Sequence, residues 1–352
     1  MALTLAGSGV LAGCGTSTQT SSAQGATHTI TDMSGAKVRV PRKVNRIAEQ
    51  FPAHTVTDLM MGVGDELVGI SNNVKTLPFL AKVDPGIKSV PELFKSGGPV
   101  NMEELLTHKP DVVSAVAGDQ TLKPYAQAGL PAVDMSFTTF PGLVRSMTLA
   151  GQVYGGDAPQ RARRYNTYFE SRLKMVRSRL SRLPDSAKPR VVHIASFPPL
   201  VVDGGDSIID QWIKAAGGRD AASGVASSHT TVTFEQLLKW NPDVIIVETP
   251  GGDQGIAPGS GRSVVAALQK QPGWSHLKAV QSKRVYVNPQ GLYPWDRYGP
   301  EEALQIQWAA KTLHPGLFKD LDMRAVTRRF YQTFFDYHMS TSDLDRMLGT
   351  SK

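Results

Sequence analysis

Chemistry in this 352-residue chain must come from few groups: one cysteine, eight scattered histidines, and knots of aromatic and charged residues placed just after apolar stretches. A single cysteine excludes a disulfide framework, a zinc site built from cysteines and a Cys₄ iron–sulfur cluster. The histidines do not cluster as a trap for bare metal would require. His54, at a helix start, is a neutral imidazole near pH 7 and the one candidate metal ligand. His193 falls inside an apolar strand and is expected to be buried. Tyr293, Trp295 and Phe197 can stack on flat rings, and Arg297 can pair with carboxylates or catecholates. Gln50 and Phe51 directly follow another strand. No phosphate loop, H-E-x-x-H, G-x-S-x-G or strand-linked G-x-G-x-x-G is present. The Gly-rich run Gly251–Gly261 lacks the lysine and helix of a phosphate loop and reads as a mobile surface loop. The chain is not expected to be an enzyme.

Those residues need a scaffold that gathers them. Thr29–Asp32 and Lys37–Val40 flank Gly35 and read as a hairpin. Strand patterns at Arg46–Ala48, Leu67–Ile70 and Asp111–Val116 then alternate with helices at His54–Met61 and Met102–Thr107. The alternation restarts with a strand at Arg190–Ala195, helices at Ile208–Ala216 and Phe234–Trp240, and strands at Val244–Val247 and Val285–Val287. Such alternation predicts parallel α/β units.

The restart is an internal repeat. Val100–Val113 aligns without gaps on Val232–Ile245, sharing V-x-x-E-x-L-L-x-x-x-P-D-V-[VI]. Asn101 and Thr233 are placed to cap a helix, and Pro110 and Pro242 to stop it before a buried strand. Leu105 and Leu106, like Leu237 and Leu238, are expected to face a sheet. A period of 132 residues means two similar lobes rather than a solenoid. Open α/β lobes bind ligands beyond the carboxyl ends of their strands. That rule places Gln50, Phe51 and His54 at a cleft in one lobe, and Phe197, Tyr293, Trp295 and Arg297 there in the other.

Between the lobes, Asp157 and Pro159 open a helical pattern that Pro184 ends. Ala162, Tyr165, Phe169, Leu173, Val176, Leu180 and Leu183 form one apolar stripe. The rod would be roughly 39 Å long and would restrict hinge bending. It also carries the chain's net charge of +7. Arg161, Arg163, Arg164, Arg172, Lys174, Arg177, Arg179 and Arg182 stand against Glu170 alone. A solvated helix face is the first reading of that charge, and attraction to an anionic membrane surface the second. Nucleic acid is not expected, since no recognisable nucleic-acid motif accompanies the charge.

Hydrophobic residues at 41% and charged residues at 20% describe a folded globular chain. No apolar run approaches the ~20 residues of a membrane-spanning helix. Residues 1–13 have the shape of a secretory signal, although no Lys or Arg precedes the apolar run, as a start placed too late would produce. Leu11-Ala12-Gly13-Cys14 resembles the lipobox of bacterial lipoproteins. Cys14 is then the lipidated residue, and 14–28 a polar tether. Expected boundaries are 29–156 for the first α/β lobe, 157–184 for the linking helix and 185–352 for the second.

The lipobox, the D-x-x-G-x-x-V-x-V-P hairpin from Asp32 to Pro41, the repeated E-x-L-L-x-x-x-P-D-V unit and the single linking helix occur here in order. Together they resemble the substrate-binding proteins of ABC importers for ferric siderophores, haem and cobalamin. The run from Tyr293 to Phe318 looks like members that handle metal chelates. The resemblance implies two Rossmann-like lobes with a ligand cleft between them and little bending on capture. It further implies an ABC permease dimer with its ATPase as partner, docked by Glu103 and Glu235 in the first turns of the repeated helix. A carboxylate suits that position, facing the positive end of a helix.

The ligand expected first is a ferric siderophore, then haem, a corrinoid, and a smaller chelate or oxyanion such as nickel–histidine or molybdate. No cofactor is expected to be held permanently, though the ligand carries iron or another metal. The protein is expected to be a monomer in the cell envelope, anchored outside the cytoplasmic membrane or periplasmic. An envelope adhesin or sensing lipoprotein is the alternative of a different class.

Overall fold

The computed structural model describes residues 26–349, apart from 78, 96–97, 117–118, 227 and 249–259. Cys14, the signal and most of the tether lie outside the described residues, as does most of the Gly251–Gly261 run.

A hairpin of β1 (Thr27–Thr31) and β2 (Lys37–Pro41) comes first. Asp32 holds its turn by accepting from Ser34 Oγ at 2.7 Å and from the Ala36 amide at 2.9 Å. Gly35 takes φ +91° there, a backbone state that a side chain would strain. Next come β3 (Ile47–Glu49), α1 (Pro52–Met61), β4 (Leu67–Ser71), α2 (Leu80–Val83), β5 (Glu92–Phe94) and α3 (Met102–Thr107). They are followed by β6 (Val112–Ala115), α4 (Asp119–Gln127), β7 (Ala132–Asp134) and α5 (Phe140–Tyr154). The five strands form an all-parallel sheet in the order β5-β4-β3-β6-β7.

After α6 (Ala158–Leu180) the second half runs β8 (Arg190–Ser196), β9 (Val201–Val202), α7 (Ile208–Ala215), β10 (Arg219–Asp220) and β11 (Thr230–Thr231). It continues with α8 (Phe234–Trp240), β12 (Val244–Val247), α9 (Ser260–Leu268), α10 (Lys278–Gln281) and β13 (Val285–Val287). Its sheet has the order β11-β9-β8-β12-β13, with β8, β12 and β13 parallel and β10 beside the start of β8. Helices α11 (Glu302–Leu313), α12 (Met323–Phe335) and α13 (Thr341–Met347) follow.

Strand residues alternate between two cores, as a pleated sheet covered on both faces requires. Ile47, Val112, Val191, Val244 and Ile246 point into one large core shared with α1, α5, α6, α7 and α11. Ala48 and Val113 point the other way, with Leu105 of α3. Ile245 and Val247 do the same with Leu237 of α8.

The linking helix buries Ala162, Tyr165, Phe169, Leu173 and Val176, five positions of the expected stripe. It ends at Leu180 rather than Pro184, so its 23 residues span about 35 Å. Asp157 occupies the cap position but its side chain makes no capping hydrogen bond. The repeated helix also needs a correction. Leu105 and Leu237 are fully buried, whereas Leu106 is 43% exposed and Leu238 half-buried. Adjacent helix residues lie about 100° apart, so a six- or seven-residue helix cannot aim both at one sheet. No helix among the described residues is long and apolar enough to cross a membrane.

Candidate ligand cleft

In the second lobe the carboxyl ends of β8, β12 and β13 converge on a buried charge cluster. His193 sits on β8, Asp203 just beyond β9, Glu248 just beyond β12, and Asp296 and Arg297 in the segment after β13. Arg297 Nη2 lies 2.7 Å from Glu248 Oε2 and 3.0 Å from Asp203 Oδ2. His193 bridges Asp203 and Asp296, each carboxylate 2.8 Å from a ring nitrogen. Burial alone would depress His193, but hydrogen bonds to both aspartates outweigh it and raise its pKa to about 9. Asp203 and Asp296 are held down against burial by Arg297 and His193. Three carboxyls facing two cations leave one in excess, and burial pushes Glu248 up so that it holds the proton. The cluster is then neutral.

His193, Asp203 and Glu248 present ligand atoms within 4.8 Å of one another, a spacing that could hold a metal ion. The guanidinium of Arg297 stands among those oxygens and supplies the positive charge. The trio therefore anchors an arginine.

The segment carrying Arg297 is fastened from below. Glu301 accepts from the Leu292 and Tyr293 amides at 2.9 and 2.8 Å and from the Tyr331 hydroxyl. Gly291 packs so tightly that a Cβ there would meet Glu301 and Tyr331. This fastening draws Tyr293 and Trp295 into the core, both fully buried. The stacking role expected of these two rings does not fit that burial. Arg297 is buried as well and already paired, so it cannot meet a ligand as a free cation.

In the first lobe Gln50 and Phe51 follow β3 and are half-buried, with Phe51 at the cap of α1. Glu49 Oε1 accepts from the Phe51 amide at 2.8 Å. Beneath them His54 is buried, its Nδ1 3.6 Å from Glu49. Burial raises Glu49 to about 8 and lowers His54 to about 4, so both are neutral at pH 7. Burial and the neighbouring Glu49 raise Asp58, which accepts from Tyr154 at 2.6 Å. His54 thus belongs to a buried neutral layer beneath Gln50 and Phe51.

Aromatic rings meet across the cleft. Phe51 packs edge-on against Tyr293 at 6.1 Å and Tyr298 at 5.9 Å, and Phe137, beyond β7, reaches Tyr298 at 6.0 Å. His229 is exposed at the rim, with Nε2 3.1 Å from Arg297 Nη1 and its amide donating to Asp203 at 3.2 Å. Phe197 is half-buried at the end of β8. Sequence reasoning missed Phe137, Asp203, His229, Glu248 and Tyr298. Glu248 carried a usable signal, standing directly after β12 much as Glu49 closes β3.

Glu103 and Glu235 are exposed in the first turns of α3 and α8. Asn101 and Thr233 cap those helices, accepting from the Glu104 and Gln236 amides at 3.3 and 3.2 Å. Each helix ends shortly before the strand it feeds, so its first turn lies toward the carboxyl ends of the sheet.

Residues 47–292 match the family model described as "Periplasmic binding protein". The molybdate-binding protein MolA of Haemophilus influenzae is 27% identical over 330 residues, 87% of this chain and 90% of that protein. The uncharacterized ABC transporter substrate-binding lipoprotein YvrC of Bacillus subtilis is 26% identical, covering 83% of this chain and 87% of that one. A periplasmic solute binding protein from Veillonella parvula superimposes with a TM-score of 0.78 at 27% identity, over 92% of this chain and 97% of its own. With sheet order, linking helix and matched region in agreement, the chain belongs to the periplasmic binding protein family.

Proposed function

We propose that this ABC-importer substrate-binding protein captures a compact anion of the molybdate class in the cleft between its lobes. The observation that carries this reading is the direct contact of Phe51 and Phe137 with Tyr298 across the cleft. Rings that touch leave room for a small ligand, and a helix embedded in one core shared by both lobes opposes wide opening. Haem and corrinoids need broad exposed platforms, and the burial of Tyr293 and Trp295 removes two of them. The ferric siderophore that the sequence placed first therefore moves behind the oxyanion. A small chelate such as nickel–histidine is the second reading, favoured by the exposed His229 imidazole at the rim. In both readings His229 and Tyr298 face the ligand, with Gln50 opposite and the buried Arg297 holding the His229 ring from behind. The likeness to a molybdate-binding relative over 87% of the chain supports the first.

Delivery follows the same reading. Cys14 carries a lipid outside the cytoplasmic membrane, and Glu103 and Glu235 meet permease arginines in charge-assisted contacts. Intrinsic tryptophan fluorescence, with Trp295 close behind Arg297, tests the ligand. Titration with molybdate, tungstate, nickel–histidine, a ferric siderophore, haem and cobalamin should give a saturating change with the oxyanions. A response to haem or cobalamin alone would overturn the proposal.

A further inference from the structure

We infer that the face built on α6 seats this protein on an anionic lipid bilayer, with Glu103 and Glu235 turned to the opposite side. The two sheets sort the helices. The core containing α6 lies on one face of both sheets, whereas Leu105 of α3 and Leu237 of α8 pack on the other. The exposed side of α6 is therefore remote from both glutamates.

That side is strongly basic. Arg163, Arg164, Lys174 and Arg177 are exposed along it, and the neighbouring α12 adds exposed Arg328 and Arg329. Arg179 is already paired with Asp320 at 2.7 and 2.8 Å, so the seat does not count on it. Where α5 begins against α6, Phe140, Val144, Phe169 and Leu173 line a groove of about 790 Å³ edged by three cations, Arg145, Lys174 and Arg177, and one anion, Glu170. Cations around an apolar floor match a phospholipid, whose anionic headgroup borders hydrocarbon.

The chain's own entry point agrees. Ala26 accepts from the Arg42 amide at 2.7 Å, and His28 Nε2 lies 3.2 Å from the Gln152 carbonyl near the end of α5, where α6 begins. Cys14 stands twelve residues upstream, within about 40 Å even if that tether were fully extended. A lipid there would hold the start of α6 near the bilayer; this delivery rests on the proposed anchor, whereas the basic face does not. A parked protein would have to leave the surface and turn before its glutamates could meet a permease.

Vesicle binding tests the face alone. The chain from Gly15 onward keeps every described element and, lacking Cys14, has no cysteine. It should bind vesicles of equal parts phosphatidylglycerol and phosphatidylcholine at least about tenfold more tightly than pure phosphatidylcholine, and release with salt. The variant R163Q/R164Q/K174Q/R177Q should lose about tenfold, while the charge-matched K75Q/K88Q/K109Q/K239Q stays within about twofold. A fluorophore on Ser178→Cys should be quenched by spin-labelled lipid, and one on Thr107→Cys should not. Equal binding to both vesicles, equal loss in the two variants, quenching at position 107, or duplex DNA bound as tightly at the same salt would each overturn the inference.

Discussion

Replacing Arg297 with Gln should unsettle the second lobe more than any other single change in the cleft. The guanidinium lies 2.7 and 3.0 Å from two carboxyls and faces a third, all buried. Without it, the Asp203 and Asp296 carboxylates share only the charge of His193, beside the protonated Glu248. Removing one partner of a buried ion pair costs about 3–5 kcal/mol, because the remaining charge stays desolvated. At this chain length that loss lowers the melting temperature by roughly 4–7 °C. Urea unfolding at pH 7, followed by circular dichroism, gives the free-energy difference. A second substitution, Asp203→Asn, deletes one of the stranded carboxylates and should recover part of the loss, whereas Arg297→Lys should keep the charge but not the fork. The reasoning fails if Arg297→Gln costs under about 1 kcal/mol, the level of an exposed pair.

Three further outcomes follow from the same geometry. Glu49 is raised from 4.5 to about 8, so the folded chain holds a proton there that the unfolded chain has lost. Its contribution is complete below pH 4.5 and declines by about 1.4 kcal/mol per unit as pH rises to 8; Glu49→Gln should lack that decline in pH-dependent urea midpoints. Leu105→Ala and Leu237→Ala should each cost about 2–5 kcal/mol in chemical unfolding, with Leu106→Ser near zero. Glu103→Ala/Glu235→Ala should leave ligand affinity within about twofold, while permease binding in reconstituted membranes falls tenfold or more.

Much of the architecture is legible in the residues because its signals are local. Alternating apolar patterns place β12, β13, α3 and α8 at the residues where they occur, and Asn101 and Thr233 cap as their types suggest. The apolar stripe of α6 forecasts five of the six positions it buries. The cleft is less legible because its partners come from separate segments. Nothing near Arg297 in sequence announces that Asp203 and Glu248, 94 and 49 residues away, will neutralise it. Whether Tyr293 and Trp295 turn inward is decided by Glu301 and Tyr331 from beneath, which aromatic spacing alone does not encode. Leu106 misled because two adjacent leucines suggest one apolar face, whereas helix geometry grants burial to one of them.

Heat-of-binding titration of the purified chain with molybdate tests the central claim most directly, with a ferric siderophore and nickel–histidine run beside it. The account predicts one site per chain for molybdate at micromolar affinity or tighter, about 8 kcal/mol, weakened at least tenfold in His229→Ala/Tyr298→Phe. No heat with molybdate or nickel–histidine, together with one-to-one binding of the siderophore, would contradict it.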